Sequence, residues 1–455
     1  MRLTPDALAR AGNIERPAYD RAHVTPGIVH LGLGNFHRAH QAVYVDECLT
    51  ATPDWGIRGI SLRRPDMRDA LAPQSGLYTL AVRDGAGTAA RVIGSVLEVL
   101  VAGEDIASVL AAMTDPATRI VSLTVTEKGY YRDGAGDLDQ AHPAVAADLA
   151  TPERPGSVPG LLVEALRLRR AAGAPPFTVL SCDNLPENGA ALARVVLQFA
   201  ALRDLRLAEW IRAEVAFPSS MVDRIVPATT EADRAEVAAL TGLEDAWPVV
   251  TEPFCQWVVE DRFPAGRPDL AAAGVQFVSD VAQYEHMKLR MLNGAHSTLA
   301  YLGQLRGHET VADVMGDAEL AELVAGVMTQ AASTLSLPQD ELSAYATRLQ
   351  ERFRNPALHH KTAQIAMDGS QKLPQRLLAP IAEAHAAGRP WGALATGVAG
   401  WLRYLERFAP EDPMADELRL AAAKGPDAVL DLRAVFGDLS DAHWFREGVL
   451  ARLPA

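Results

Sequence analysis

The stretch of sequence that decides the fold is residues 28–40, which read IVHLGLGNFHRAH. An apolar run is followed by two glycines, Gly32 and Gly34, and then by residues that suit the start of a helix. Gly32 permits a tight turn, and Gly34 lets the backbone approach a pyrophosphate. The third glycine of the GxGxxG pattern is absent, because His37 stands in its place. The stretch predicts a dinucleotide-binding strand, turn and helix, with these further cofactor-binding candidates: Asn35, Phe36 and Arg38.

Around this stretch, short apolar runs alternate with helical patterns, which is typical of a mostly parallel sheet. We predict strands over residues 28–33, 58–62, 91–101, 119–125 and 177–181, and helices over residues 160–172, 190–202 and 231–240. Beyond about residue 280 the pattern becomes helical throughout, with predicted helices over residues 282–303, 318–334, 340–353, around Gln364 and over 394–407. We therefore expect an α/β protein, with a Rossmann-type doubly wound sheet in residues 1–280 and an all-α domain in residues 281–455.

Composition narrows the class of protein. The 455 residues carry a net charge of -14, which opposes binding to nucleic acid and to anionic membranes. The first twenty residues lack the apolar core of a signal peptide, and no apolar run is long enough to span a bilayer. Three scattered cysteines make neither a disulfide framework nor a CxxC metal site. We expect a cytoplasmic monomer or small homo-oligomer that acts on a small molecule.

The end of the second predicted strand bears on the choice of cofactor. It is followed by Arg63, Arg64, Pro65 and Asp66. Asp66 would accept hydrogen bonds from the ribose of NAD, whereas the two arginines would hold the 2′-phosphate of NADP. A solvated charged turn is the third interpretation. We therefore expect NAD as cofactor, with NADP as the alternative.

Two histidines in the first stretch raise the question of a metal. His37 and His40 are three residues apart on the expected helix. No carboxylate or cysteine joins them at ligand spacing, and a basic helix start explains them as well. We expect no metal site there.

The residues that point to chemistry lie in residues 284–297, YEHMKLRMLNGAHS. With 100° per residue and Lys288 at zero, Glu285, His296 and Asn293 lie at about 60°, 80° and 140°. The four polar groups therefore share one side of the predicted helix. A solvated polar stripe on an amphipathic helix is the alternative interpretation.

Oxidation of an alcohol needs a base for the hydroxyl proton while hydride leaves for a nicotinamide. Lys288 is the candidate if its pKa falls from ~10.4 toward neutrality, through burial and a nearby cation such as His296. Asn293 would donate to the developing alkoxide, as an oxyanion-hole amide does. Glu127 and Glu285 would relay protons to bulk water, or form ordinary salt bridges.

Two further motifs follow apolar runs, where a doubly wound fold places its chemistry. Residues 181–184, SCDN, end in Asn184, a candidate for a second oxyanion donor. Residues 217–227, FPSSMVDRIVP, contain Asp223, which would bind a substrate hydroxyl or orient a catalytic side chain. A structural ion pair between Asp223 and Arg224 is the alternative.

Over nearly its whole length the sequence resembles the polyol-specific long-chain dehydrogenases, the mannitol dehydrogenase family that includes the fructuronate reductases (mannonate oxidoreductases). The resemblance rests on GLGNFHRAHQAVY (32–44), SLTVTEKGYY (122–131), SCDNLPENG (181–189), FPSSMVDRIVP (217–227), KLRMLNGAHSTLAYLG (288–303) and MDGSQKLPQRLL (367–378).

This resemblance implies a Rossmann-type domain, then a helical substrate domain, with the active site between them and catalysis without zinc. It implies that Lys288 is the general acid/base and that Asn184 and Asn293 form the oxyanion hole. His296 and Asp223 match the family's substrate-positioning residues. A zinc-dependent alcohol dehydrogenase and a non-catalytic nucleotide-sensing protein are the alternatives from other classes.

Short sequence motifs bear on the choice of substrate. TEKGY (126–130), LAYLG (299–303) and MDGSQKLPQR (367–376) look more like fructuronate reductases than like mannitol 2-dehydrogenases. Lys128, Lys372 and Arg376 would supply cations for a sugar-acid carboxylate, or are surface charges. The resemblance thus implies mannonate/fructuronate or mannitol/fructose as the substrate pair, with arabinitol- or altritol-type polyols as alternatives.

Overall fold

The structure is a computed structural model that describes residues 1–11, 14–358 and 360–454. The chain divides into two compact units, Met1–Ala282 and Gln283–Ala455.

The N-terminal unit contains the strands of the molecule. They are β1 (Pro26–Leu31), β2 (Gly56–Ser61), β3 (Tyr78–Asp84), β4 (Gly87–Ile93), β5 (Val96–Val101), β6 (Ile120–Leu123), β7 (Thr178–Ser181), β8 (Ser220–Asp223), β9 (Val249–Thr251), β10 (Gln256–Glu260) and β11 (Gln276–Val278).

A five-stranded parallel sheet in the order β5-β2-β1-β6-β7 forms the centre of this unit. From β1 the chain builds outward through β2 and β5, and then returns to the other side of β1 with β6 and β7. The order therefore reverses between β1 and β6, and doubly wound sheets bind their ligands at such a switch point. The expected Rossmann-type fold is confirmed.

Helices of this unit cover the sheet. They are α1 (Pro5–Arg10), α2 (Asn35–Ala39), α3 (Gln41–Cys48), α4 (Asp66–Leu71), α5 (Ile106–Thr114), α6 (Pro143–Ala150), α7 (Val158–Ala171), α8 (Asn188–Arg203), α9 (Leu205–Glu214) and α10 (Glu231–Thr241), with 3-10 turns at Arg21–His23, Pro53–Trp55, Ala72–Gln74 and Glu127–Tyr130. Side-chain caps fix several of their starts: Ser157 accepts from the N–H of Gly160, and Thr230 forms a capping box with Asp233.

The residues at the start of the stretch 28–40 are mostly apolar because they form β1, which is covered on both faces. Val29 and Leu31 belong to one buried cluster, and Ile28 belongs to another. Alternate side chains of a strand point to opposite faces, so both faces of β1 are inside the unit.

The single strand predicted over residues 91–101 is wrong. The chain leaves β4 at Ile93 and enters β5 at Val96, and the two strands belong to different sheets. Between them, the N–H of Gly94 donates to Asp46 and the Ser95 hydroxyl donates to the carbonyl of Ala42. The change of sheet depends on these partners, which lie some fifty residues earlier, and the local pattern does not reveal it.

Two smaller sheets accompany the parallel one in the described part of the unit. One has the order β4-β3-β9, and the other has the order β11-β10-β8. In the second, β8 pairs antiparallel with β10, with Asp223 opposite Gln256. The strands other than β4 in these sheets were not among those predicted.

The C-terminal unit is helical, and its described residues contain no strand beyond an isolated bridge between Thr310 and Lys361. Its helices are α11 (Ala282–Met287), α12 (Gly294–Arg306), α13 (Val311–Gly316), α14 (Ala318–Ala332), α15 (Gln339–Phe353), α16 (Thr362–Ala366), α17 (Gly369–Leu373), α18 (Ala379–Ala386), α19 (Gly392–Arg407), α20 (Ala415–Ala422), α21 (Pro426–Leu430), α22 (Arg433–Phe436) and α23 (His443–Leu450), with 3-10 turns at Pro356–Leu358 and Gly437–Asp441.

Helix α12 lies at the centre of this unit, because every residue from Gly294 to Gly303 is buried. Small residues let α19 approach it closely. A Cβ atom on Gly397 would lie 2.3 Å from Oγ1 of Thr298, and one on Gly400 would lie 2.7 Å from Leu302. None of the helices in the described ranges is long and apolar enough to cross a membrane.

Candidate active site

The glycine turn lies at the switch point of the parallel sheet. Gly32 follows β1 with a φ of 91°, and a Cβ atom there would lie 2.2 Å from the carbonyl oxygen of Thr124. The N–H groups of Gly32 and Leu33 donate to the carbonyl of Ile60 at 2.9 and 3.2 Å. A Cβ atom on Gly34 would meet nothing nearer than 3.8 Å, so the space beside Gly34 is open. Only glycine fits at Gly32.

Three other cofactor candidates follow the turn. Asn35 donates to Oγ1 of Thr229 at 3.1 Å, and Phe36 stacks on the ring of His40. Arg38 has no exposed surface, and its guanidinium donates to Oδ1 of Asn35 at 2.7 Å and to the carbonyl of Trp247. As it lies, Arg38 supports Asn35 from inside the domain.

The two histidines of the stretch are internal. His37 stacks on His30 with ring centroids 3.4 Å apart, and His40 bonds to the carbonyl of Gln256 at 2.9 Å. Burial holds the pKa of His37 well below its usual value, so this ring is neutral at pH 7. The basic helix start is therefore wrong for His37. Among the described residues, no group of three or more His, Cys, Asp or Glu side chains is placed to hold a metal ion.

The charged turn after β2 forms an exposed ion pair. Nη2 of Arg64 lies 2.7 Å from Oδ2 of Asp66, and the two side chains are 80% and 43% exposed. Asp66 begins α4, at the end of the strand that neighbours β1. Both groups are therefore accessible at the edge of the sheet that carries the glycine turn.

The ends of β6 and β7 are joined by a buried carboxylate that the sequence analysis missed. Oδ1 of Asp183 accepts from the N–H groups of Val125 and Thr126, each at 2.8 Å, and Oδ2 accepts from the hydroxyl of Tyr130 at 3.1 Å. Burial raises the pKa of Asp183 to about 6, against the lowering effect of these donors. The sequence did contain a signal for this carboxylate, because Asp183 is an acidic residue between the end of a predicted strand and the candidate Asn184.

Asp183 fixes the surroundings of two predicted residues. Asn184 follows it directly and is exposed, and Lys128 is exposed on the 3-10 turn Glu127–Tyr130, beside the equally exposed Glu127. Because carboxyl ends of parallel strands meet at one edge, the glycine turn, Asp66, Lys128 and Asn184 belong to the same edge of the sheet.

Asp223 is brought to this framework by Asn188. The Nδ2 group of Asn188 donates to the carbonyls of Asp183 and Ser220 at 2.9 and 2.7 Å, and its Oδ1 accepts from the N–H of Ser220. Asp223 is the buried last residue of β8. The guanidinium of Arg224 donates to the carbonyls of Glu252 and Ala39.

In the C-terminal unit, two of the predicted catalytic residues lie on a π-helix. Lys288 and Asn293 are the first and last residues of the π segment Lys288–Asn293, whose end is marked by the N–H of Gly294 donating to the carbonyl of Leu289. The uninterrupted α-helix predicted over residues 282–303 is therefore wrong, and so are its wheel angles. Bonds from i to i+5 close a wider turn, so residues five apart lie closer in direction than about 140°. π-turns occur frequently at functional sites.

His296 is buried on α12, at 7% exposure. Its ring stacks on Phe353 at 4.5 Å and meets His360 edge-on at 5.1 Å. Burial, with the nearby His360, Arg352 and Arg376, holds the pKa of His296 well below its usual value. The ring is neutral at pH 7, so the expectation that it acts as a cation beside Lys288 is wrong. Within the described residues, its Nε2 atom has no hydrogen-bond partner.

The two predicted cations of this unit are partly buried. Arg376 lies on a second π segment, Pro374–Leu378, and donates to Oγ of Ser297 at 3.1 Å, next to His296 in sequence. Lys372 donates to the carbonyl of Met367 at 2.6 Å and lies 3.8 Å from Oδ2 of Asp368. Burial lowers the pKa of both groups. Neither is a fully solvated surface charge, and Glu285 lies partly buried on α11.

Some residues of these surroundings carried no signal in the sequence analysis. His360 and Arg352 face His296, and they lie more than fifty residues along the chain. His30, in the middle of an apolar strand, is the exception, because a histidine inside a buried run is an available signal of a polar contact.

A doubly wound sheet with a glycine turn at its switch point is typical of dinucleotide-binding dehydrogenases. Residues 26–272 match the mannitol dehydrogenase Rossmann domain, and residues 280–454 match the mannitol dehydrogenase C-terminal domain. The chain belongs to the mannitol dehydrogenase family, and the resemblance drawn from its motifs is confirmed.

Individual relatives are similar over nearly the whole chain. D-mannonate oxidoreductase of Escherichia coli (strain K12) is 48% identical over 445 residues, which cover 93% of this chain and 92% of that protein. The structure of Pseudomonas fluorescens mannitol 2-dehydrogenase with NAD and D-mannitol matches with a TM-score of 0.83 at 38% identity, covering 100% and 96% of the two chains. Substrate-free D-sorbitol dehydrogenase matches with a TM-score of 0.95 at 37% identity, covering 99% and 97%. The protein is an oxidoreductase of the mannitol dehydrogenase family.

Proposed function

We propose that this protein interconverts a secondary alcohol and a ketone on a polyol or a sugar acid, with Lys288 as the general acid/base and without a metal. The observation that carries the proposal is the placement of Lys288 and Asn293 at the two ends of one π turn, directly before the buried imidazole of His296. The names of two relatives, a D-mannonate oxidoreductase and a mannitol 2-dehydrogenase, support this substrate class.

The glycine turn is the proposed place for NAD. Gly32 is held so tightly against Thr124 that no side chain fits, while the space beside Gly34 is open. Asn35 and Phe36 border the turn, and Asp66 is the candidate partner for the ribose. NAD held there would supply a hydride acceptor for the alcohol carbon, and NADH a hydride donor for the ketone.

Lys288 is the proposed acceptor and donor of the hydroxyl proton. Its side chain is half-buried. As an amine it takes the hydroxyl proton of the alcohol, and as an ammonium it returns that proton when the ketone is reduced. The amides of Asn184 and Asn293 donate to the substrate oxygen as it gains negative charge.

His296 and Asp223 recognise the substrate's other hydroxyl groups. The neutral imidazole of His296 has one unbonded nitrogen among the described residues, and a substrate hydroxyl supplies the missing partner. Asp223 is buried at the end of β8, where its carboxylate accepts from a hydroxyl.

A sugar acid is the favoured substrate, with mannonate and fructuronate as the pair to test first. Arg376 is mostly buried beside Ser297, and Lys372 is half-buried four residues earlier. Two partly desolvated cations in a protein of net charge -14 favour an anionic group on the substrate. Lys128, at the edge of the parallel sheet, is the third candidate cation. Mannitol and fructose, and then arabinitol- or altritol-type polyols, are the alternatives.

Replacement of Lys288 tests the catalytic assignment. Lys288→Ala should lower kcat by about 10²- to 10⁴-fold, because the general acid/base is removed, while the Kd of NADH stays within about twofold. Lys424→Ala, at an exposed position far along the chain, is the matched control and should keep full activity. Near-normal turnover by Lys288→Ala would remove the lysine mechanism. Loss of activity after exhaustive chelation would contradict the absence of a metal.

The substrate is tested by a spectrophotometric screen of fructuronate, tagaturonate, fructose and xylulose with NADH and NADPH, and of the corresponding alcohols in reverse. Arg376→Gln keeps a donor for Ser297 and removes the charge. If a carboxylate binds there, this variant should lose about 10- to 100-fold in kcat/KM for fructuronate and less than about threefold for fructose. Equal losses for the two ketones would assign Arg376 a role unrelated to the carboxylate.

A further inference from the structure

A buried chain of polar side chains lies beneath the glycine turn. Nδ1 of His30 is 2.9 Å from Oγ of Ser122, and Nε2 of His30 is 2.9 Å from Oγ1 of Thr124. The Thr124 hydroxyl is 2.9 Å from the carbonyl oxygen of Gly32, and Oγ of Ser122 is 2.9 Å from the side-chain amide of Gln41. His30, Ser122 and Gln41 are at most 2% exposed, so no solvent competes for these bonds.

The donor and acceptor of each hydrogen bond in this row of side chains can be assigned in turn, starting from the carbonyl of Gly32. A carbonyl oxygen only accepts, so the Thr124 hydroxyl donates its single proton to Gly32. Oγ1 of Thr124 must then accept from Nε2 of His30. The proton of the imidazole is therefore on Nε2.

The other end of the chain follows from the charge of the ring. Burial lowers the pKa of His30 to about 3, so the ring is neutral and its Nδ1 atom is an acceptor. Ser122 must donate its only proton to Nδ1, and its oxygen must accept from Gln41. The structure places Oε1 of Gln41 at 2.9 Å from Ser122, so this assignment requires the amide of Gln41 to be exchanged, with Nε2 toward Ser122. The two atoms of an amide are distinguished only by such a network.

We propose that His30 is a positioning residue for the cofactor-binding turn, and that its Nε2-protonated ring carries a one-directional chain of hydrogen bonds from Gln41 through Ser122 and Thr124 to the carbonyl of Gly32. The chain fixes the turn at the switch point, where the N–H of Thr124 also donates to the carbonyl of Leu31 at 3.0 Å. This inference deepens the proposed role of the glycine turn and depends on it.

The tautomer is tested on the unaltered protein without any ligand. Two-bond ¹H–¹⁵N correlation spectra of histidine-labelled protein, with His30 assigned by its loss in His30→Phe, should show a protonated Nε2 and a bare Nδ1. An Nδ1-protonated ring or an imidazolium at pH 7 would overturn the inference. This result does not depend on whether the protein turns over any substrate.

The coupling to the turn is tested by a double-mutant cycle. His30→Phe keeps a ring and Thr124→Val keeps the shape of the side chain, and each should weaken NADH binding about 5- to 10-fold, since each leaves the Gly32 carbonyl without a fixed donor. The double variant should bind no more weakly than the single ones, because both changes break one chain. His30→Asn, which retains a donor and an acceptor, should recover part of the loss.

The outcomes separate the two proposals. Additive losses, or an unchanged Kd of NADH in a folded Thr124→Val protein, would overturn the positioning role. If the unaltered protein does not bind NADH at all, the proposed role of the glycine turn fails, whatever the tautomer of His30.

Discussion

His30 in the N-terminal unit and His296 in the C-terminal unit are alike in burial and different in hydrogen bonding. Burial holds the pKa of both rings well below the usual value, so both are neutral at pH 7. Both nitrogens of His30 have hydroxyl partners at 2.9 Å. Among the described residues, Nε2 of His296 has none. Burial and the direction of the pKa shift are therefore the same for the two rings, and what differs is the hydrogen bonding of Nε2.

The reason is energetic. A buried polar atom without a partner costs about 1–3 kcal/mol, and most such atoms in folded proteins are paired. The missing partner of His296 is therefore a cost to the unliganded fold, which a substrate hydroxyl would remove. His30 carries no such cost, and its role is confined to the protein.

The largest effect expected from this comparison concerns substrate turnover. His296→Phe should lower kcat/KM by about 10- to 100-fold, because the hydrogen bond to a substrate hydroxyl is lost, and should leave the Kd of NADH unchanged. His30→Phe should show the reverse, with weaker NADH binding and a nearly normal kcat at saturating cofactor. Steady-state kinetics and fluorescence titration of both variants measure the two quantities. A common pattern for the two variants would break the comparison.

Both rings should destabilise the protein in acid. The unfolded chain takes up a proton on each histidine near pH 6.5, while the folded chain keeps His30 neutral down to about pH 3 and His296 neutral well below pH 6.5. The free energy of unfolding should therefore fall as pH decreases from about 6.5, by about 1.4 kcal/mol per pH unit for each ring. Denaturant titrations at several pH values between 7 and 5 give the free energy of unfolding at each pH. A plot of this free energy against pH should have a shallower slope for His30→Phe and for His296→Phe. An unchanged slope for either variant would mean that this ring is protonated in the folded protein.

Asp183 is a buried group whose effect on the pH dependence of stability is opposite to that of the two histidines. Its pKa is raised to about 6, so it favours the folded state at low pH, and this contribution is lost as pH rises from about 4 through 6. Asp183→Asn cannot ionise and should remove that dependence, at up to about 1.4 kcal/mol per pH unit over this narrower window. Thermal unfolding at pH 4 and pH 7 measures it. Because the two histidines act in the opposite direction, the variant should lose more stability than the unaltered protein between pH 7 and pH 4, and a smaller loss would contradict the sign.

Much of the fold was predictable because local sequence patterns, such as glycines after an apolar run and helical periodicity, determine it. Glycines at Gly32 and Gly34 after an apolar run predicted the turn, and the switch from alternating to uniformly helical patterns predicted the two architectures. The break between β4 and β5 was not predictable, since Gly94 and Ser95 are held by Asp46 and Ala42 from another part of the chain.

The candidate site was predictable in its residue types and less so in its chemistry. The motifs named Lys288, Asn293 and His296 in advance, but an ideal α-helix was the wrong geometry for a segment that forms a π turn. Arg38 was expected at the cofactor, and His296 was expected to act as a cation. The burial of the two side chains depends on distant residues, Trp247 for Arg38 and Phe353 and His360 for His296.

The sequence by itself determined the glycine turn, the change from an α/β to a helical pattern near residue 280, and which side chains are chemically able to act. Only the tertiary structure decided which of those side chains are satisfied within the protein and which are left with an open hydrogen bond. The reason is that backbone preference and apolar periodicity act over a few neighbouring residues, whereas burial, protonation and hydrogen-bond partners are set by residues that meet only after folding.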